Sequence, residues 1–212
     1  MLLHVEHINK AFGNKQVLTD VSFSVDRGQA VALLGGNGAG KTTLLRIITR
    51  LLQPDSGTIL FDGHPLGQAD LRQIGYLPEE RGLYRNMRVG EQALYLMQLK
   101  GLSRHDAKEA LQPWMQRLGM EDWWHLPTRK LSKGMQQRLQ FAVSVAHTPQ
   151  LLILDEPFSG LDTDGSALLR NQIEMLLAQG TAIILSTHNL QAASELCSHS
   201  ITLPTSHLTL HT

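Results

Sequence analysis

Cysteine is almost absent from this 212-residue chain: Cys197 is the only one, so no internal disulfide can form. That usage suits a reducing compartment such as the cytoplasm. An excess of charge of either sign is lacking too. Nineteen basic and nineteen acidic residues cancel, so net charge writes in no general attraction to nucleic acid or to an anionic membrane. No apolar run comes near the roughly twenty residues that a membrane helix needs. Met1-Leu2-Leu3 is followed at once by His4 and Glu6, which is not a secretory signal pattern. Internal repeats and low-complexity tracts are missing, and no two histidines stand at metal-ligand spacing on one helix. The expectation is a soluble cytoplasmic chain forming one large domain, or a core with a smaller subdomain.

What is present begins with Gly35-Gly36-Asn37-Gly38-Ala39-Gly40-Lys41-Thr42-Thr43. It fits G-x-x-x-x-G-K-[ST] and follows the apolar run Ala30-Val31-Ala32-Leu33-Leu34. After it, Leu44-Leu45-Arg46-Ile47-Ile48 has the apolar face of a packed helix. Strand, glycine loop and helix form the context in which backbone N–H groups and a helix N-terminus converge on phosphate. Lys41 would reach the outer phosphates, and the Thr42 hydroxyl would ligate magnesium. This loop implies a nucleoside triphosphate as ligand.

Residues 2–8 and 17–25 read as strands around the turn Phe12-Gly13-Asn14-Lys15, and residues 58–61 and 74–77 as further strands. From Val89 to about Leu118 the apolar spacing is helical. Trp114, Trp123 and Trp124 fall in or just after that stretch and read as its packing. The runs 151–154 and 181–185 read as strands buried on both faces, joined by a crossover helix. The fold class expected is α/β: a P-loop core with a mostly parallel sheet, an N-terminal antiparallel β subdomain and an inserted helical subdomain. The expected division is 1–79 and 148–212 for the core and β subdomain, and 80–147 for the helices.

Asp155 and Glu156 end the first buried run, where parallel sheets place ligands. Asp155 is positioned to hold magnesium and Glu156 to polarise water. His188 ends the neighbouring run, within reach of a γ-phosphate. Ser132 reads as a helix N-cap, with Gly134 just inside the helix. A second phosphate site there, used in trans, is the alternative.

In this order the pieces resemble the nucleotide-binding subunit of ABC transporters over residues 2–203. They are the aromatic turn at Phe12, Walker A, a Q-loop region (76–79), a signature (131–135), Walker B (151–156), a D-loop (Ser159-Gly160-Leu161-Asp162) and the H-loop His188. The resemblance implies that Phe12 stacks on adenine, with Val17 against the ribose. Gly35, Gly36, Asn37, Gly38, Ala39, Gly40, Lys41, Thr42 and Thr43 then hold the phosphates. It implies Thr42, Glu79 and Asp155 around magnesium, Glu156 as general base, and His188 and Lys41 at the γ-phosphate. It also implies a head-to-tail homodimer in which Ser132 and Gly134 act in trans and Asp162 couples the two sites. A membrane permease would dock near Glu79–Glu91.

Three departures stand out. Glu79 replaces the Q-loop glutamine, Lys133 and Met135 replace the usual glycine and glutamine of the signature, and the chain stops soon after Leu203, where a degenerate last hairpin is expected. Residues 74–84 with 131–134 look most like the subfamily of bacterial sodium-export ATPases, which points to export. The competing reading is a soluble ATPase of the same type acting on nucleic acid or ribosomes. Neutral charge and the lack of a second cassette or long insert weigh against it.

Overall fold

The computed structural model describes residues 1–80, 82–203 and 207–210, without the side chains of residue 192 and of 207–210. Two sheets form the scaffold. The antiparallel one comprises β1 (Leu3–Phe12), β2 (Lys15–Val25), β4 (Ser56–Phe61) and the short β5 (His64–Pro65), in the order β2-β1-β4-β5. The second contains β3 (Ala30–Leu34), β6 (Ile74–Leu77), β7 (Leu151–Asp155), β8 (Ala182–Thr187), β9 (His199–Thr202) and β10 (His207–Leu210). Its order is β10-β9-β3-β8-β7-β6. All its pairs are parallel except β9 with β10. The last hairpin expected to be degenerate is therefore paired, with His207 opposite Thr202 and Leu210 opposite His199.

The parallel strands have continuous apolar sequences because both faces are covered. Val31, Leu33, Leu151, Ile153 and Ile184 pack toward α1 (Lys41–Ile48) and the antiparallel sheet. The alternate residues Ala32, Leu34, Leu152, Leu154, Ile183 and Leu185 belong to the cluster of the other helices. These are α2 (Val89–Leu99), α3 (Arg104–Arg117), α4 (Lys133–Val145), α5 (Thr163–Ala178) and α6 (Leu190–Leu196). Helix α5 is the crossover between β7 and β8.

The helical stretch expected from Val89 to about Leu118 holds two helices, α2 and α3. The chain turns at Lys100-Gly101-Leu102, and Ser103 starts α3 by accepting a hydrogen bond from Asp106 N at 3.1 Å. That N-cap chemistry was present in the sequence, but the apolar spacing runs across it. Strand β1 also runs on to Phe12, beyond the expected end at residue 8, because Phe12 pairs with Lys15 across the turn. The tryptophans do pack the helical region: Trp114 meets Phe141 edge-on with ring centroids 6.0 Å apart.

One partly buried histidine gives the fold a pH dependence. His147 lies between α4 and β7 with both ring nitrogens buried. Burial, and then the Lys100 ammonium, lowers its pKa from the ordinary 6.5 to about 4. The unfolded chain binds this proton near pH 6.5, whereas the folded chain takes it only near pH 4. Stability from this group therefore rises with pH across that window, by up to about 1.4 kcal/mol per pH unit. Urea midpoints of the wild type should fall on acidification through that range. A His147→Gln variant should show a flatter profile.

Candidate functional site

Parallel register decides which chain segments meet. Leu34 lies opposite Thr187, and Ser186 opposite Asp155, so β3, β8 and β7 deliver their C-terminal ends to one edge. A cleft of about 530 Å³ opens there. Among its lining residues are Phe12, Val17, Gly36 to Thr43, Glu79, Asp155, Glu156 and His188. Most of the residues singled out in the sequence are thus brought together.

The glycine loop ends at Gly40, the N-cap of α1, with φ of 102°. A Cβ at this position would lie 2.9 Å from Leu18 Cδ2 and 3.0 Å from Val17 O. Only glycine meets both demands. Lys41 is 8% exposed, and its ammonium donates to the carbonyls of Gly35 at 2.6 Å and Gly36 at 3.3 Å. Glu156 Oε1 lies 3.9 Å from the same nitrogen. A cation held by loop carbonyls beside a helix N-terminus is set up to meet an anion.

Across the cleft, Thr42 Oγ1 donates to Asp155 Oδ2 at 3.0 Å, although 113 residues separate the two. Asp155 is 1% exposed, and its other oxygen accepts from the Ser186 hydroxyl. A hydroxyl and a fixed carboxylate side by side are hard oxygen donors, which fit a small divalent cation such as magnesium. Nearby, burial and secondarily the Asp155 charge push the Tyr76 hydroxyl up to about 12, so it remains protonated.

Glu156 parts from Asp155 for a reason beyond strand alternation. It lies past the end of β7 with φ of 48°, left-handed backbone that is costly for a side chain with a Cβ. Its amide donates to Ser186 O at 3.1 Å, which pins the turn. The carboxylate, 11% exposed, is 2.9 Å from His188 Nδ1. A carboxylate and an imidazole thus form a coupled pair at the mouth, beside the loop that holds Lys41.

The cleft does not take in everything. Ser132 is exposed and caps α4, accepting from Met135 N at 3.2 Å. Gly134 sits beside Leu161: a Cβ there would be 3.4 Å from Leu161 Cδ2. Asp162 caps α5, accepting from Gly165 N at 2.8 Å. None of the three lines the cleft. Phe12 does, 52% exposed, with Lys10 Nζ 5.7 Å from the ring centroid. Glu79 lines the cleft with an exposed carboxylate in place of an amide. Sequence reading gave no role to Lys15, which also lines the cleft, or to the Ser186 hydroxyl on Asp155. Their signals were adjacency to Phe12 and to His188, but neither carries a motif of its own.

The sequence model of the ABC transporter family matches residues 18–159. The uncharacterized ABC transporter ATP-binding protein YhaQ of Bacillus subtilis is 41% identical over 196 residues, covering 92% of this chain and 66% of that protein. The Nod factor export ATP-binding protein I of Sinorhizobium fredii is 37% identical over 198 residues, covering 92% of this chain and 58% of its own length. The chain therefore spans about three fifths to two thirds of the length of these relatives. A solved structure described as the ATP binding subunit of an ABC transporter superimposes with a TM-score of 0.88 at 34% identity, covering 96% of this chain and 86% of the other. No described helix is long and apolar enough to cross a membrane. The fold, the cleft and these likenesses agree: the chain belongs to the ABC transporter family, as one of its ATP-binding members.

Proposed function

We propose that this chain binds Mg·ATP in the cleft and hydrolyses it to power export through a membrane permease. The observation that carries the reading is the convergence of Lys41, the Thr42–Asp155 pair and the Glu156–His188 pair on one 530 Å³ cleft. Lys41 leaves its carbonyl acceptors for the β- and γ-phosphates, while the loop amides hold the remaining oxygens. Thr42 and Asp155, with Glu79 at the rim, would hold magnesium, which when bound neutralises the phosphate charge. Glu156 takes a proton from the attacking water, and His188 orients that carboxylate and faces the γ-phosphate. Phe12, exposed at the rim, offers a face for adenine, with Val17 beside the ribose.

Ser132 and Gly134 are exposed or half-buried away from the cleft, which suits a contribution in trans. Two copies would then close head to tail over two ATP molecules, with Asp162 coupling the sites. Hydrolysis reopens the pair. The permease would dock near residues 79–91, beside a groove of about 740 Å³ lined by Leu83, Leu96 and Leu99 among others. Export is favoured by the resemblance to sodium-export ATPases and by the relative named for Nod factor export. The working location is then the cytoplasmic face of a membrane.

Lys41→Ala tests the site directly. Removing a buried, hydrogen-bonded charge from its phosphate should weaken ATP binding roughly thirtyfold or more, read by titration with a fluorescent ATP analogue. Unchanged affinity would remove the basis for the reading. Mixing a Lys41→Ala chain with a Ser132-defective chain tests the trans arrangement. Each variant alone should be inactive, and the mixture should regain at most one working site per dimer.

A further inference from the structure

Phe12 is the last residue of β1, at a place where the ladder to β2 is irregular. Register shifts interrupt that pairing between Val5 and Ile8, Ile8 and Lys10, and Lys10 and Ala11. Asp55, in the turn between α1 and β4, supplies further bonds to this strand end. Its amide donates to Asn9 O at 2.9 Å, and its Oδ2 accepts from the Ala11 amide at 2.6 Å. Its Oδ1 accepts from Lys10 Nζ, also at 2.6 Å. Lys10 and Phe12 are two positions apart in the strand, so their side chains share a face. The Lys10 ammonium lies over the Phe12 ring, 5.7 Å from its centroid and within cation–π range. The Lys10 side chain is only 14% exposed, an ammonium fixed between a carboxylate and a ring. Neither Lys10 nor Asp55 lines the cleft that Phe12 lines.

We propose that Lys10 and Asp55 are positioning residues for the nucleotide base: a brace outside the cleft that sets the Phe12 ring for adenine. This rests on the reading of the cleft as an ATP site with Phe12 as its base platform. The ammonium occupies one face of the ring, so the other face is the one offered to the base. Aromatic faces are electron-rich. A cation behind the ring draws that density toward itself and lessens the repulsion met by an adenine stacked in front. A half-exposed aromatic side chain without such a contact turns between rotamers. Its ordering would then count against the nucleotide, whereas a ring already set removes that cost. Asp55 also follows closely on α1, whose first residue is Lys41 of the phosphate loop. One short stretch of chain thus ties the phosphate end of the cleft to its base end.

The test is equilibrium binding of Mg·ATP and of magnesium tripolyphosphate, which offers phosphates without a base, to the purified full chain. Lys10→Met keeps the side-chain length and removes the ammonium. It should weaken ATP binding about three- to tenfold, the cost of ordering one side chain on binding, and leave tripolyphosphate binding unchanged. Lys10→Arg can still pair with Asp55 and stack on the ring, and should restore ATP affinity. With Phe12→Ala already in place, Lys10→Met should have no further effect on ATP, because the two side chains act as a unit. Asp55→Ala should lose at least as much ATP affinity as Lys10→Met; if it does not fold, the Lys10 variants decide alone. Tripolyphosphate binding also reports that a variant is folded. Equal losses for both ligands would mean a general loss of positive charge or of structure, and would overturn the proposal. So would unchanged ATP binding by Lys10→Met, or the same loss when Phe12 is absent. A wild type that binds neither ligand overturns the reading of the cleft itself and the brace with it. That result is distinct from ATP binding that ignores the brace.

Discussion

Glu156→Gln should slow ATP turnover between about a hundredfold and ten-thousandfold, the usual loss when a general base is removed, while ATP binding is retained. The substitution keeps the side-chain volume and a group able to hydrogen-bond His188, now 2.9 Å from the carboxylate. It removes only basicity and one negative charge. That charge lies 3.9 Å from the Lys41 nitrogen, so its loss also frees Lys41 from a competitor of the phosphate. Binding should therefore be unchanged or tighter, and the rate alone should collapse. Steady-state phosphate release together with equilibrium ATP titration separates the two effects. A variant that hydrolyses as fast as wild type would take the proton-accepting role away from this residue. One that neither binds nor hydrolyses would mean that the side chain shapes the cleft.

The second large effect falls on stability. Gly75 lies within β6, with a backbone carbonyl of α4 passing over it. A Cβ there would come 2.1 Å from Ser144 O, 2.9 Å from Leu152 Cδ1 and 3.1 Å from Pro149 Cγ. The nearest atom belongs to main chain, so no rotamer change relieves the clash. The helix or the strand must shift. Gly75→Ala is expected to cost about 3 kcal/mol or more, at the upper end for overpacking. For a chain of this size that lowers the melting temperature by roughly 6–12 °C. The substitution should also loosen the segment from β6 to Glu79, which lines the cleft. Scanning calorimetry checks the first expectation. A melting temperature within a degree or so of wild type would mean that α4 is not held as close to the sheet as described.

The structure corrects the sequence reading where one signal obscured another. The strand over Ile74–Leu77 coincides with β6, because a short apolar stretch bounded by Pro78 leaves few alternatives. Apolar spacing marks residues 89–118 as helical but does not show where that stretch divides, at Lys100-Gly101-Leu102. The cap at Ser103 shows that local hydrogen bonding to the backbone ended one helix and began another. The different surroundings of Asp155 and Glu156 follow from the left-handed turn at Glu156 and the β8 carbonyl that holds it, in addition to strand alternation.

By itself the sequence determined whatever is written in contiguous residues. The phosphate loop, the acidic pair and the doubly buried strands depend on steric and hydrophobic rules that act within a few positions along the chain. Only the tertiary structure decided that Thr42 touches Asp155, that Ser186 secures that carboxylate, and that residues 84–90 are laced to residues 124–130. These pairings follow from parallel register between strands and from the lacing of separate loops. Such long-range contacts are fixed by the packing of the whole core, and no local pattern encodes them.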